Sequence, residues 1–417
     1  MELLPTETVM GIFSHCCSER YPLHASIPIR LSHVCAAWRA LALSMPTLWA
    51  SFSINIGDDE LLHLHLERSA QCPLSFDANF GKQNSSPAAL DLVAALAQHS
   101  DRWSHAKLPF WSDFAPTFGR LRGRLARLES LDLRIHGGVD QRDGADSTYF
   151  EDAPRLRRLA LGAYLPGKMP FPPNQLTFLH LGAGPTMKFL HFLALCPCPH
   201  LTTLILNPHY PMKLPGPPLP PLVHLHTLIL AIRDGYSRNP IIDVLDPLTT
   251  PSLSTLEIVG VQEAQLLRKA FTSFLERSGC TLQTLAITFG DTLPFSAVQS
   301  NLQLLPSLTH LIFFTRGNKG TIVDLLLQSL TTTSLLPNLT SLELKAARFH
   351  PAVVDFAASR LVCGSSSDCS RLEELVLHNA PDAEEAAHRE RLESFRDQGL
   401  VVSYLPRYKP SRSALFI

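Results

Sequence analysis

RLESLDL, residues 127–133, places leucines at Leu128, Leu131 and Leu133 in the pattern L-x-x-L-x-L. Leu131 and Leu133 flank the polar Asp132, which is the period of a strand buried on one face. Leu128 stands three residues ahead, where the chain turns into that strand. The spacing recurs in RLRRLAL (Leu156, Leu159, Leu161), QLTFLHL (Leu176, Leu179, Leu181), HLTTLIL (Leu201, Leu204, Leu206) and HLHTLIL (Leu225, Leu228, Leu230). It continues in SLSTLEI (Leu253, Leu256, Ile258), TLQTLAI (Leu282, Leu285, Ile287), SLTHLIF (Leu308, Leu311, Phe313), NLTSLEL (Leu339, Leu342, Leu344) and RLEELVL (Leu372, Leu375, Leu377).

Ten copies cannot be accidental. Their first leucines are 20 (156 to 176) to 33 (339 to 372) residues apart, matching or slightly exceeding the roughly 20–29 residues of a leucine-rich repeat. One such unit cannot bury its own apolar face, whereas stacked units share a core. The residues between strands must return the chain on the outer side. VQEAQLLRKAFTSFLERSG (261–279) has helical apolar spacing with Gly279 as a stop, and TIVDLLLQSL (321–330) is a second helical return. NPHYPMKLPGPPLPPL (207–222) is too rich in proline for helix. Its PxxP spacings suit an SH3-type ligand, but an exposed repeat connection is the simpler reading. HGGVDQRDGADSTYF (136–150) reads as a surface loop.

Degenerate repeats precede the regular ones. Segments 48–54, 73–80 and 105–111 are strand-like, and 58–70 and 87–103 have helical spacing between them. Trp103 takes the first-leucine place of one such repeat, followed by Ala106 and Leu108.

The first 47 residues do not follow the repeat. Leu4, Val9, Ile12 and Phe13 fall on one helical face, and Pro5 suits a first helical turn. Ile29, Leu31, Val34, Cys35, Trp38, Leu41 and Leu43 continue the apolar spacing, with Pro28 placed to open a second helix and Pro46 to end a third. A unit this small buries large side chains poorly, so part of this apolar surface is expected to meet a partner.

The order L-P-x-E-x(4)-I-F, L-x-x-V-C-x-x-W-R-x-L-A and P-x-L-W resembles an F-box, similar to those of the large fungal F-box families that carry C-terminal leucine-rich repeats. The matching positions are Leu4, Pro5, Glu7, Ile12 and Phe13, then Leu31, Val34, Cys35, Trp38, Arg39, Leu41 and Ala42, then Pro46, Leu48 and Trp49. Thr8-Val9 stands where Ile-Leu is usual, and Ala36-Ala37 where charged residues often precede the tryptophan. The resemblance implies a three-helix module docking on the small adaptor subunit of a cullin-RING (SCF-type) ubiquitin ligase, while the repeats select a protein substrate. The implied adaptor-binding set is Leu4, Pro5, Glu7, Ile12, Phe13, Leu31, Val34, Trp38, Arg39, Leu48 and Trp49. The residues alone do not divide adaptor contact from the core beneath it.

The fold expected is therefore α/β: an F-box over 1–47, degenerate repeats over 48–127, regular leucine-rich repeats over 128–400 forming a horseshoe with a parallel concave sheet, and a tail over 401–417. The x positions of x-L-x-L point away from the leucines. Phe178, His180, Ile205, Ile229, Glu257, His310, Ile312 and Glu343 are the candidate substrate-facing residues. An exposed apolar stripe there needs a cover. Both a substrate and the apolar tail VVSYLPRYKPSRSALFI (401–417) are candidates for it.

Lys plus Arg total 36 and Asp plus Glu 37. That balance gives no global pull toward nucleic acid or an anionic membrane; only a local patch can do so. No apolar run is long enough for a transmembrane helix, and the acidic N-terminus does not suit a secretory signal. Nine cysteines without a regular framework suggest a reducing compartment, cytoplasm or nucleus. No phosphate-binding glycine loop, HExxH or nucleophile elbow occurs. His191, Cys196, Cys198 and His200 have metal-like spacing, but the interleaved Pro197 and Pro199 and the run into Leu201 favour a turn with a buried thiol. The reading is a non-catalytic adaptor needing no cofactor or metal. Its alternative is a leucine-rich interaction scaffold that does not engage a ligase.

Overall fold

A computed structural model describes residues 4–18, 26–81, 86–135, 148–162, 171–195, 197–210, 219–231, 240–261, 264–289, 294–315, 321–332, 335–346, 348–362, 369–378 and 385–406. The chain forms two units, residues 1–182 and 183–417. Both are α/β stacks in which strand follows strand in chain order and every described neighbouring pair is parallel.

Unit 1 opens with four helices, α1 (Thr6–Ser18), α2 (Ile27–Ser32), α3 (Ala36–Ser44) and the single turn α4 (Pro46–Trp49). Pro28 sits in the first turn of α2, and Pro46 opens α4 rather than merely closing α3. The strands are β1 (Ser51–Asn55), β2 (Leu74–Asn79), β3 (Trp103–Phe110), β4 (Ser130–Ile135), β5 (Arg158–Leu161) and β6 (Phe178–Pro185). Helices α5 (Asp59–Arg68), α6 (Pro87–Gln98) and the short α7 (Ala115–Phe118) return the chain between the first four.

Unit 2 opens with α8 (Thr186–Leu195) and carries strands β7 (Thr203–Tyr210), β8 (Thr227–Ala231), β9 (Thr255–Val261), β10 (Thr284–Phe289), β11 (His310–Thr315), β12 (Ser341–Lys345), β13 (Glu374–Leu377) and β14 (Val401–Tyr404). Its returns are α9 (Pro240–Leu245), α10 (Ala264–Ser278), α11 (Phe295–Leu302), α12 (Thr321–Thr332), α13 (Ala352–Val362) and α14 (Ala386–Ser394). Gly279, at φ +60°, stops α10 as its sequence position suggested.

All thirty pattern positions, from Leu128 to Leu377, are at most 4 % exposed. Register explains why. Leu131 pairs with Leu159 and Leu133 with Leu161, and the same matching runs from β7 to β13. Leucine therefore stacks on leucine, one strand spacing apart, and each contributes roughly 1.5–3 kcal/mol by leaving water. Strand entry is fixed by hydrogen bonding. The N–H groups of Arg157 and Arg158 both donate to the Glu129 carbonyl, at 2.9 and 3.1 Å, and those of Thr177 and Phe178 to the Arg157 carbonyl. Thr309/His310 to Gln283 and Glu373/Glu374 to Thr340 repeat the arrangement.

Where leucine fails, aromatic residues take over. Trp103 is fully buried at the expected first-leucine place, and Ala106 and Leu108 pair with Leu131 and Leu133. Trp49, Phe52 and Ile54 follow the same spacing and are buried. The two tryptophans share a device: Trp49 Nε1 donates to the Ala42 carbonyl at 2.9 Å and Trp103 Nε1 to the Leu96 carbonyl at 3.1 Å, each seven residues back on the preceding helix. Two stretches differ from the sequence reading. Residues 136–147 lie outside the described residues, but Tyr149 and Phe150 are buried, Phe150 stacking on Phe171 at 5.6 Å. Strand β7 continues through Pro208, which was read as loop. Its register with β8 ends at Leu206, so the ladder with β8 needs no N–H from Pro208. Of the tail, Val401–Tyr404 takes a place in the sheet beside β13, and residues 407–417 lie outside the described residues.

Arginines close the helix ends. A helix leaves its last carbonyls without partners. Arg102 Nε donates to the Cys72 carbonyl and Nη1 to that of Leu66, behind α5. Arg124 reaches the Gln98 carbonyl of α6, Arg277 those of Leu245 and Leu248 behind α9, and Arg360 those of Leu330, Leu335 and Leu336 behind α12. Arg102 is 3 % exposed, so its loss strands carbonyls that water cannot reach. Arg102→Met should lower the stability of unit 1 by about 2–3 kcal/mol. All four tryptophans lie in unit 1, so urea unfolding followed by their fluorescence reads that unit alone. An unchanged midpoint would show the cap to be dispensable.

Candidate docking and recognition surfaces

The N-terminal helices hold a small core. Val9 and Phe13, one turn apart on α1, are buried with Ala42, Met45, Leu48 and Trp49, and Ile29, Leu31, Trp38 and Leu41 pack half-buried against them. Leu64 of α5 reaches the same core. Trp38 meets Phe13 edge-on, ring centroids 4.9 Å apart. Arg68 lies over the Trp49 ring at 4.4 Å, and His65 Nδ1 is 2.9 Å from the Trp49 carbonyl. Cys35 caps α3, its Sγ accepting from the Trp38 N–H at 3.4 Å.

The other face of these helices is apolar and open. Leu4 is 58 % exposed, Met10 38 %, Ile12 41 %, Val34 60 % and Leu43 45 %. Among the described residues ten large apolar side chains are exposed, and these five fall within the first 44 residues. Pro5, Glu7 and Arg39 are exposed beside them.

The single set read from sequence therefore splits. Leu4, Pro5, Glu7, Ile12, Val34 and Arg39 are outward, and Leu31 and Trp38 are half-buried. Phe13, Leu48 and Trp49 are at most 2 % exposed. They belong to the core beneath that face, because α4 folds back onto α1 and α3 and carries both Leu48 and Trp49 inward. Trp49 belongs to the helical core and, by its spacing to Phe52 and Ile54, to the first repeat at once.

The outward face of the sheets differs from the exposed stripe expected. In unit 2, Ile205, Ile229, Glu257, Ala286, Ile312 and Glu343 are register partners along one row. Ile205 is buried, Ile229, Glu257, Ile312 and Glu343 are half-buried, and His310 alone of the eight candidates is exposed. Phe178 is half-buried with the Arg158 guanidinium 4.0 Å from its ring centroid. His180 is half-buried at the end of the unit 1 row.

Charged networks on this face gave no sequence signal, because their members come from different repeats. In unit 1, Lys107 bridges Asp77 at 3.5 Å and Asp132 at 3.7 Å, and Arg134 pairs with Asp77. In unit 2, Glu343 takes Lys345 at 3.2 Å and His378 at 2.7 Å. Burial raises the Asp132 carboxyl above its ordinary value against the pull of Lys107 and Arg134. Burial likewise raises Glu257, opposed by Lys345 and reinforced by Glu343. Burial pushes His180 down to about 4.

No cluster of three metal-ligating side chains occurs among the described residues. Cys198 is buried and His200 stacks near His224, ring centroids 6.1 Å apart, while Cys196 lies outside the described residues. A cavity beside Leu344, Phe349, His350, Val353, Leu377 and His378 holds about 10 Å³, room for a single water. Cys369 is disulfide-bonded. No described helix is long and apolar enough to cross a membrane.

No family model matches the chain, and no curated protein matches it. Among solved structures, one similar to it is a crystal structure of a protein from Bacteroides fragilis, at 11 % identity and a TM-score of 0.33, covering 74 % of this chain and 76 % of that one.

Two outcomes follow from the burial pattern. Phe13→Ala should cost about 3–5 kcal/mol, whereas Val34→Asp should stay within about 0.5 kcal/mol, both read by tryptophan-detected urea unfolding. Equal losses would erase the division into core and open face. His180 ionises less readily folded than unfolded, so the unfolded chain binds more protons between pH 6.5 and about 4. Unit 1 should lose stability as pH falls through that window. His180→Gln should flatten the slope relative to the parent chain; identical slopes would remove His180 as its source.

Proposed function

We propose that this chain is a substrate-recognition subunit of a cullin-RING (SCF-type) ubiquitin ligase: an F-box that docks on the small adaptor, followed by leucine-rich repeats that hold a protein substrate. The carrying observation is the open apolar face of the N-terminal helices, with Leu4, Ile12 and Val34 outward over a core of Val9, Phe13 and Trp49. A patch of this kind marks an interface, and its rim of Glu7 and Arg39 is polar as such rims are.

In this reading the chain makes and breaks no bond. Its work is positional. The module and the first repeats share Trp49 and Leu64, so they move as one body within unit 1. A substrate held on the repeats of unit 1 is then presented at a fixed place relative to the adaptor, which raises its effective concentration at the transfer site. Ala36 and Ala37 are exposed and uncharged, so electrostatic steering of the encounter is weak and affinity rests on the apolar contact.

The decisive measurement is calorimetric titration of the intact chain with the purified small adaptor. Binding is expected, and Ile12→Asp with Val34→Asp should weaken it at least about thirtyfold, the effect of losing a hot spot, with the fold retained. Absence of binding by the parent chain would leave the leucine-rich scaffold as the surviving reading.

A further inference from the structure

The chain is neutral overall, but one edge of unit 1 is not. Between residues 120 and 158, Arg120, Arg122, Arg124, Arg127, Arg155, Arg157 and Arg158 are all exposed. Arg124 is occupied, closing α6 and pairing with Asp101 at 3.2 Å. Arg102, at the corresponding place ahead of β3, is occupied too, capping the Cys72 and Leu66 carbonyls. Arg127, Arg155 and Arg157 form no ion pair among the described residues.

Their placement follows from the repeat. Ser130 pairs with Arg158 and Leu131 with Leu159, and the turns before them match: Leu128 N–H donates to the Leu125 carbonyl and Leu156 N–H to that of Ala153, both at 3.1 Å. Arg127 and Arg155 thus hold the same turn position in consecutive repeats, next to buried Arg102 in the repeat before. The positive field of Arg127 reaches Arg102, adding to the burial that lowers the latter's proton affinity. Arg157 and Arg158 enter β5 directly beside them. Arg158 is pre-set by stacking on Phe178 at 4.0 Å. Arg127 and Arg155 face each other as like charges from consecutive turns, and the exposed Glu129, one residue before Ser130, is aligned with Arg157 without forming an ion pair with it.

We infer that the strand-entry edge of β4 and β5, built from Arg127, Arg155, Arg157 and Arg158, is a docking surface for an acidic, carboxylate-rich polypeptide segment. Guanidinium forks donate paired hydrogen bonds to carboxylates. The strand spacing of about 4.8 Å between repeats and the roughly 6.6 Å between same-face residues of an extended peptide are close enough for successive acids to meet successive arginines. This surface is distinct from the open face of the N-terminal helices and stands whether or not that face engages an adaptor.

The test uses the full chain and a fluorescent octaglutamate peptide, with octaglutamine and a single-stranded oligonucleotide of equal charge as comparisons, by anisotropy at 0.15 M salt, about physiological. Octaglutamate should bind, octaglutamine should not, and binding should weaken as salt rises. Arg127→Glu, Arg155→Glu and Arg157→Glu together should reduce affinity at least tenfold. The corresponding three lysine substitutions keep the charge and lose the fork, and should bind with an affinity between those of the parent and the glutamate variant. Arg268→Glu with Lys269→Glu, exposed on α10 of unit 2, should change nothing. Equal loss in the α10 variant would reduce the effect to net charge and overturn the assignment. Tighter binding of the oligonucleotide than of octaglutamate would replace the acidic peptide by nucleic acid and overturn it too. If the triple variant loses its native circular dichroism, the lysine variant and the α10 control still decide the question, since a specific edge needs the first to bind and the second to be silent.

Discussion

One backbone carbonyl per repeat sets where the next strand begins. Glu129, Arg157, Thr202, His226, Ser254, Gln283, Thr309 and Thr340 each accept two consecutive N–H groups from the following repeat. Nothing within a repeat can replace that acceptor, so a strand exists only beside its predecessor. The leucines obey the same logic. Leu131 is covered by Leu159, and Leu159 by Leu179, so the apolar face of each unit is finished by its neighbour. Local interactions choose the turn, but only stacking makes it stable.

This dependence explains what breaks the pattern. Where leucine gives way to aromatics, the stack still needs volume and a satisfied helix end. Trp49 and Trp103 supply both, filling the first-leucine place and donating an indole N–H to the preceding helix. The arginine caps meet the same need from the other direction: a helix packed between neighbours cannot leave its last carbonyls to water. Arg360 serves four carbonyls at once while being 2 % exposed, an arrangement in which a buried charge is tolerated because its hydrogen bonds are made.

Much of this was legible before any coordinates. The L-x-x-L-x-L spacing gave the strands, because a period of two cannot be mistaken once ten copies share it. Trp103 was recognisable as a stand-in from its position ahead of Ala106 and Leu108. The N-terminal helices were legible too, but their inner and outer faces were not. Phe13 and Ile12 are neighbours in sequence and of similar hydropathy, yet one is core and the other 41 % exposed; only the packing of α4 separates them. The arginine caps were illegible for a different reason. Arg102 and Leu66 are 36 residues apart, and no local signal ties a cap to a helix one repeat away. The outward row failed likewise. Alternation told which side Ile205 faces, but how deeply it is buried is set by residues far from it in sequence.

The position of Trp49 links these observations to function. A docking module joined to repeats by a loop would leave its cargo free to wander over the linker's length. Here the joint is a fully buried side chain. Its indole N–H binds α3, its carbonyl meets His65 of α5, and Arg68 covers its ring. Two elements, α3 and α5, therefore agree on one orientation, and bending the joint requires breaking all three contacts. An apolar face carried on such a joint transmits its orientation to the first repeats of unit 1. The arginine edge at β4 and β5 lies on that same unit, so an acidic segment caught there is positioned by the same rigid path. Rigidity is what the sequence has invested in this half of the molecule: it spends all four of its tryptophans there, two of them at the starts of repeats that leucine alone does not complete.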